Sequence, residues 1–117
     1  MRLKEYIDRI QGKILTPGIE IEDIQVTGGY VSDLLSDVMG NAREGDAWIT
    51  IMRHMNAVAV ASMIGLSAVI FAKGLVPEQA VIDRADTENV CLISSPLPVL
   101  DLAAILHGLL NKITESE

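Results

Sequence analysis

Thr27-Gly28-Gly29-Tyr30-Val31 runs straight into Ser32-Asp33-Leu34-Leu35-Ser36-Asp37-Val38-Met39, and the reading of this junction decides the fold class. Before it, Ile19, Ile21, Ile24 and Val26 alternate with acidic residues and Gln25, the period of a half-exposed strand. After it, Leu34, Leu35, Val38 and Met39 recur at helical spacing, and Gly40-Asn41 closes the run. Ser32 is placed to cap that helix, with Asp33 in its first turn, where a carboxylate favours the dipole. Two glycines between strand and helix allow a sharp turn. They leave N–H groups at a helix start, where an anion can sit.

The same grammar repeats downstream. Gly45-Asp46 turns the chain into a strand, Ala47-Trp48-Ile49-Thr50-Ile51, and Ala57 to Ile64 is a helix that Gly65 should stop. Ala68 to Ala72 reads as a buried strand, and Pro77-Glu78 opens a helix to about Asp86, since proline is tolerated in a first helical turn. Val90-Cys91-Leu92-Ile93 is the last strand, and Val99, Leu102, Ala103, Leu106, Leu109 and Leu110 mark a final amphipathic helix. Upstream, Leu3, Tyr6, Ile7 and Ile10 share one helix face, Lys13 to Thr16 is a brief strand, and Pro17-Gly18 is a turn. Alternating strands and helices with short connections predict an α/β fold: three layers, a mostly parallel sheet of four or five strands, and helices on its faces. All 117 residues read as one domain, with 1–22 as an N-terminal helix and short strand and 23–117 as the alternating body.

Composition agrees. Half of the residues are apolar, yet only Tyr6, Tyr30, Trp48 and Phe71 are aromatic, which suits aliphatic helices layered on a buried sheet. That apolar share is high for a small body, so a homodimer that covers part of it is expected. A formal net charge of -7 with no basic run excludes general nucleic-acid binding. Met55 to Ala72 carries no charge, but Asn56, Ser62, Gly65 and Ser67 interrupt it. It therefore reads as helix, turn and strand rather than as a membrane span, which needs about 18 or more apolar residues in one helix. A single cysteine, Cys91, allows no internal disulfide, and the start of the chain lacks a signal-peptide core, so a cytoplasmic location is expected. The acidic end Glu115-Ser116-Glu117 reads as a solvated terminus.

The chain resembles the DRTGG domain family. The motif survives in part as Thr27-Gly28-Gly29, while its leading Asp-Arg is replaced by Gln25-Val26, so any role of those two charges is not inherited. The resemblance continues through Tyr30 to Met39, Gly45 to Ile51 and His54 to Ala61. It implies a fold similar to the N-terminal domain of HPr kinase/phosphorylase, and an accessory module that dimerises or senses. Such modules lie within some phosphotransacetylases and between the CBS domains of regulated pyrophosphatases. Free-standing versions are often encoded near iron-hydrogenase or sensor-kinase components, which implies a regulatory partner.

In open parallel sheets, ligands bind beyond the carboxyl ends of the strands, near a switch in strand order. Under the strand assignments above, that rim gathers Thr27, Gly28, Gly29 and Ser32; Arg53, His54 and Asn56; Lys73; and Ser94 and Ser95. Two cations and several neutral donors on an acidic chain suit a small anionic metabolite or a nucleotide. The competing reading is simpler: strand ends face solvent, and polar residues and glycines belong there in any case. His54 has the chemistry of a general acid or base, but a histidine beside an asparagine also caps helices. Cys91 reads as core packing, His107 as surface or subunit contact, and Asp33 with Asp37 as a solvated helix face without further ligands for a metal. No P-loop, zinc pattern or nucleophile elbow is present, and neither a catalytic set nor a cofactor is expected. Three functions follow. The first is a non-catalytic regulatory module that senses a ligand. The second is an adaptor docking a partner redox enzyme or sensor kinase. The weakest is a small enzyme using His54.

Overall fold

The computed structural model describes residues 1–112, and Glu115-Ser116-Glu117 lies outside the described residues. Helix α1 (Leu3–Arg9) and strand β1 (Lys13–Ile14) lead into β2 (Gly28–Val31), α2 (Leu35–Asn41), β3 (Asp46–Thr50), α3 (Met55–Ile64) and β4 (Ala68–Phe71). Then come α4 (Gln79–Thr87), β5 (Leu92–Ser94) and α5 (Val99–Asn111). The sheet order is β1-β5-β4-β3-β2, with β2 to β5 parallel and β1 antiparallel at the edge, as the alternation predicts.

Each central strand is buried along its whole length. Asp46–Thr50, Ala68–Phe71 and Leu92–Ser94 are all buried, because both faces are covered. Alternate side chains divide between two cores. Trp48, Val69, Phe71 and Leu92 face α2, α3 and α4, where Val38, Val58, Ala61, Val81 and Ile82 meet them. Ala47, Ile49, Ala68, Ile70 and Ile93 face α1 and α5, packing on Leu3, Tyr6, Ile7, Ile10, Leu102 and Leu106. The Tyr6 hydroxyl donates to the Leu102 carbonyl (2.9 Å), pinning the first helix to the last. Burial holds that hydroxyl in its protonated form far above the usual range.

Three sequence expectations are corrected here. The alternating run from Ile19 to Val26 is not a strand. Its backbone groups are used in turns and in pairing with Met1 and Leu3: Ile24 N–H donates to Ile21 O, Val26 N–H donates to Met1 O, and the Ile24 carbonyl accepts the Leu3 N–H. The first long strand is Gly28–Val31 itself, so the glycine pair lies inside a strand instead of following one. Close packing explains both glycines. A Cβ at Gly28 would fall 2.5 Å from the Asp46 carboxylate, and one at Gly29 would collide with the buried Leu106 of α5. The helix boundary also moves. The residue before α2 is Leu34, and Ser32 instead accepts the Leu34 N–H through its hydroxyl (3.1 Å).

The third correction concerns topology. β2, β3, β4 and β5 lie side by side in chain order, with no reversal among them. Successive crossovers of one hand place α2, α3 and α4 on the same face, so no crevice opens at a switch point.

Candidate functional site

The carboxyl ends of the parallel strands carry an opening that combines apolar and charged side chains. A crevice of about 550 Å³ lies between the connection from β3 to α3 and the connection from β4 to α4. Met52, Met55, Val76, Pro77 and Val81 form its apolar lining, and Arg53, His54 and Glu78 supply charge and polarity. The amino ends of α3 and α4 both reach it, through Met55 and through Ala80. The first N–H groups of a helix have no partner within the helix, so this mouth combines a guanidinium with two positive helix ends. Glu78 opposes them with one carboxylate.

The loop that carries Arg53 is braced from below. Thr50 is buried, and its hydroxyl donates to Asp33 (2.7 Å) while accepting the Met52 N–H (3.0 Å). The same Asp33 oxygen accepts the Ile51 N–H (3.0 Å). Asp33 is therefore a loop tether between β2 and β3. It lies outside α2, so the expected helix face shared with Asp37 does not form. Asp37 holds the other end of the β2 connection, accepting from the Tyr30 hydroxyl (2.8 Å) and the Asn41 amide (3.0 Å). Hydrogen bonds from Ser32 and Tyr30 hold its carboxyl below the usual range, and the same bond raises the Tyr30 hydroxyl above its own. His54 is the residue before α3, and its Nδ1 accepts the Asn56 N–H (3.1 Å). This is the helix-capping role that competes with acid–base chemistry.

The expected rim is thus split. Ser32, Arg53, His54, Asn56 and Lys73 follow β2, β3 and β4 and stand at the carboxyl edge. Ser94 and Ser95 end β5 at that edge but face inward. Ser94 donates to the Leu75 carbonyl (2.8 Å), and fully buried Ser95 donates to the Ile10 carbonyl (2.7 Å) while accepting the Leu97 N–H (3.1 Å). Their hydroxyls hold loops together and are not offered to a ligand. Thr27, Gly28 and Gly29 are at the opposite end of the sheet, because parallel register sets Gly28 beside Asp46 at the start of β3.

That amino edge has its own opening, of about 520 Å³, lined by Thr27, Gly45, Ser67, Asn89 and Cys91 together with Glu20 and Glu44. Two carboxylates and no lysine or arginine among its lining residues make it a poor anion site. Cys91 is buried, and burial pushes its thiol up to about 11, which fits packing and not nucleophilic chemistry. Among the described residues, no group of three or more His, Cys, Asp or Glu is arranged to hold a metal, and no helix is long and apolar enough to cross a membrane.

Sequence reasoning missed Glu78 and the methionines of the crevice. Pro77-Glu78 was visible as a helix opening, but its nearness to Arg53 depends on β3 and β4 being neighbours. The misplaced glycines did leave a signal. Gly45-Asp46 enters β3 as Thr27-Gly28 enters β2, and matching the two turns would have put both at one end.

No protein-family model matches the chain, and neither does any curated protein. Among solved structures, it is similar to the CBS and DRTGG domains of the regulatory region of Clostridium perfringens pyrophosphatase, a crystal structure complexed with the activator diadenosine tetraphosphate. The TM-score is 0.69 at 15% identity, over 90% of this chain and 45% of that one. The present chain thus spans less than half the length of that regulatory region. At this identity the likeness speaks for architecture, and the chain has a DRTGG-related α/β fold.

Proposed function

We propose that this protein is a non-catalytic regulatory module, a cytoplasmic homodimer that senses a small anionic metabolite or a nucleotide at the carboxyl edge of its sheet. The observation that carries this reading is the crevice between the β3–α3 and β4–α4 connections, where Arg53 stands beside the amino ends of two helices. Lys73, exposed at the start of the β4–α4 connection, adds positive charge to the same edge. Glu78 selects for a ligand that also presents a hydrogen-bond donor, as a ribose or an amino group does. A structural relative that is a regulatory region complexed with a nucleotide activator is in keeping with this assignment.

The test is a thermal-shift screen with nucleotides and phosphorylated metabolites. A ligand that raises the midpoint of the native protein and loses its effect in Arg53→Ala supports the reading. A silent screen, with Arg53→Ala and Lys73→Ala unchanged in every property, removes it.

A second reading, an adaptor that docks a redox enzyme or sensor kinase, is favoured by the large apolar side chains left open on the helices. Met63 is 70% exposed and Leu100 is 78% exposed. A stoichiometric partner that is retained by the native chain and lost in Met63→Glu or Leu100→Glu would favour it. Catalysis by His54 has the least support, because its Nδ1 is committed to the cap of α3.

A further inference from the structure

The two edges of the sheet are defended unequally. β1 is two residues long and carries Lys13, and shortness and lysine are common devices against edge-to-edge pairing. β2 forms the other edge and has neither device: Gly28–Val31 contains no charge and no proline. The Ser32 N–H donates to the Ile49 carbonyl (3.4 Å), which sets the phase of the ladder. Even-numbered residues of β2 therefore bond to β3, and Gly29 and Val31 turn their N–H and C=O groups outward. Both residues are exposed, Val31 by 49%.

The flanks of this edge are apolar. Leu34 is 62% exposed just beyond the strand, and a groove of about 160 Å³ lies between β2 and α5, lined by Val31, Leu106 and Leu110. Charge points to the occupant. A chain with a net charge of -7 repels its own copy over most of its surface, but Thr27 to Ser32 is neutral. Asp33, the next acid, is already bound to Thr50 and Ile51. Two copies meet along this strip without bringing free carboxylates face to face. A strand edge is also self-complementary about a two-fold axis, since antiparallel pairing sets each outward donor against an outward acceptor of the mate.

We infer that β2 is the dimer surface, and that a second copy of this chain pairs antiparallel with it about Tyr30. Each copy's Gly29 then stands opposite Val31 of the other, which uses every outward group of the strand and joins the two sheets. The inference rests on the dimer proposed above and names where that dimer forms.

Sedimentation of the full chain tests both. The native protein should have twice the 12.6 kDa chain mass. Val31→Lys should halve it while keeping the native circular dichroism, and Met63→Lys, at the more exposed position on α3, should remain a dimer. A folded Val31→Lys protein that stays dimeric overturns the edge assignment and leaves the dimer standing. A native chain that stays monomeric up to millimolar concentration overturns both, and β2 then serves a strand of another protein or none. If Val31→Lys fails to fold, hydrogen exchange on the native protein decides. Slow exchange at the Gly29 and Val31 amides under dimeric conditions supports the edge, and free exchange there refutes it.

Discussion

Replacing Gly29 by alanine separates a packing role for the glycine pair from a ligand-binding one. The added Cβ would project onto the Leu106 side chain, which is 3% exposed and has little room to retreat. Forcing one methyl into a filled core costs about 1–3 kcal/mol. Against this, replacing glycine in an extended segment recovers about 0.4–1 kcal/mol by restricting the unfolded chain. The net expectation is a loss of between about 0 and 2.6 kcal/mol. In a domain of this size that lowers the thermal midpoint by up to roughly 10 °C, taking about 4 °C per kcal/mol. A double-mutant cycle makes the mechanism specific. Leu106→Ala alone should cost about 2–5 kcal/mol by opening a cavity. In the Gly29→Ala background the same change should cost about 1 kcal/mol less, because the new methyl occupies part of the space. The assay is chemical denaturation at one fixed protein concentration, with all four proteins fitted to a common slope. A more stable Gly29→Ala protein, or strict additivity in the cycle, would refute the contact and reopen the glycine pair as a functional element.

Other expectations are simpler to check. His54→Ala should lower stability by about 1 kcal/mol through loss of the α3 cap, whereas His54→Asn should retain most of it, as read by thermal unfolding. Cys91 should react with a thiol reagent at pH 8 only after denaturation, since it is buried with its thiol pushed up to about 11; rapid reaction of the native protein would contradict that. The Asp37 carboxyl is held below its ordinary value of 3.8, so its contribution is present above that value and fades as pH falls through the lowered folded-state value. Native protein and Asp37→Asn should accordingly differ in thermal midpoint at pH 6 and converge toward pH 2. A constant gap would show that the charge plays no part.

The architecture was readable because its signals are local. Continuous apolar runs such as Ala68 to Phe71, broken by Gly65 and Gly74, mark buried strands without knowledge of neighbours. The first strand was misplaced for an equally physical reason. The alternation from Ile19 to Val26 reflects burial of Ile19 and Val26 in the core shared with α1 and α5, with Ile21 and Ile24 half-buried against it, and such alternation in a loop looks the same as in a strand. That error put Thr27, Gly28 and Gly29 on the wrong end of the sheet, since the residues after a strand and those before it lie at opposite edges. Ser94 and Ser95 failed differently. Their position was right, but whether a hydroxyl points outward or to a carbonyl such as that of Ile10 depends on a segment more than eighty residues away. Arg53 and His54 stayed at the carboxyl edge because β3 was assigned correctly.

The pairing of α1 with α5 bears on how the polypeptide matures during synthesis. Strands β2 to β5 are laid down in spatial order, so each can dock on its predecessor as it leaves the ribosome. Helix α1 can fasten early to the segment before β2, since Val26 N–H donates to the Met1 carbonyl and Leu3 N–H to that of Ile24. Its docking is complete only later, because Tyr6 waits for Leu102 and Lys13 for Ser94. Until then part of the apolar face that α5 covers stays open, and truncation within that helix would leave it so permanently.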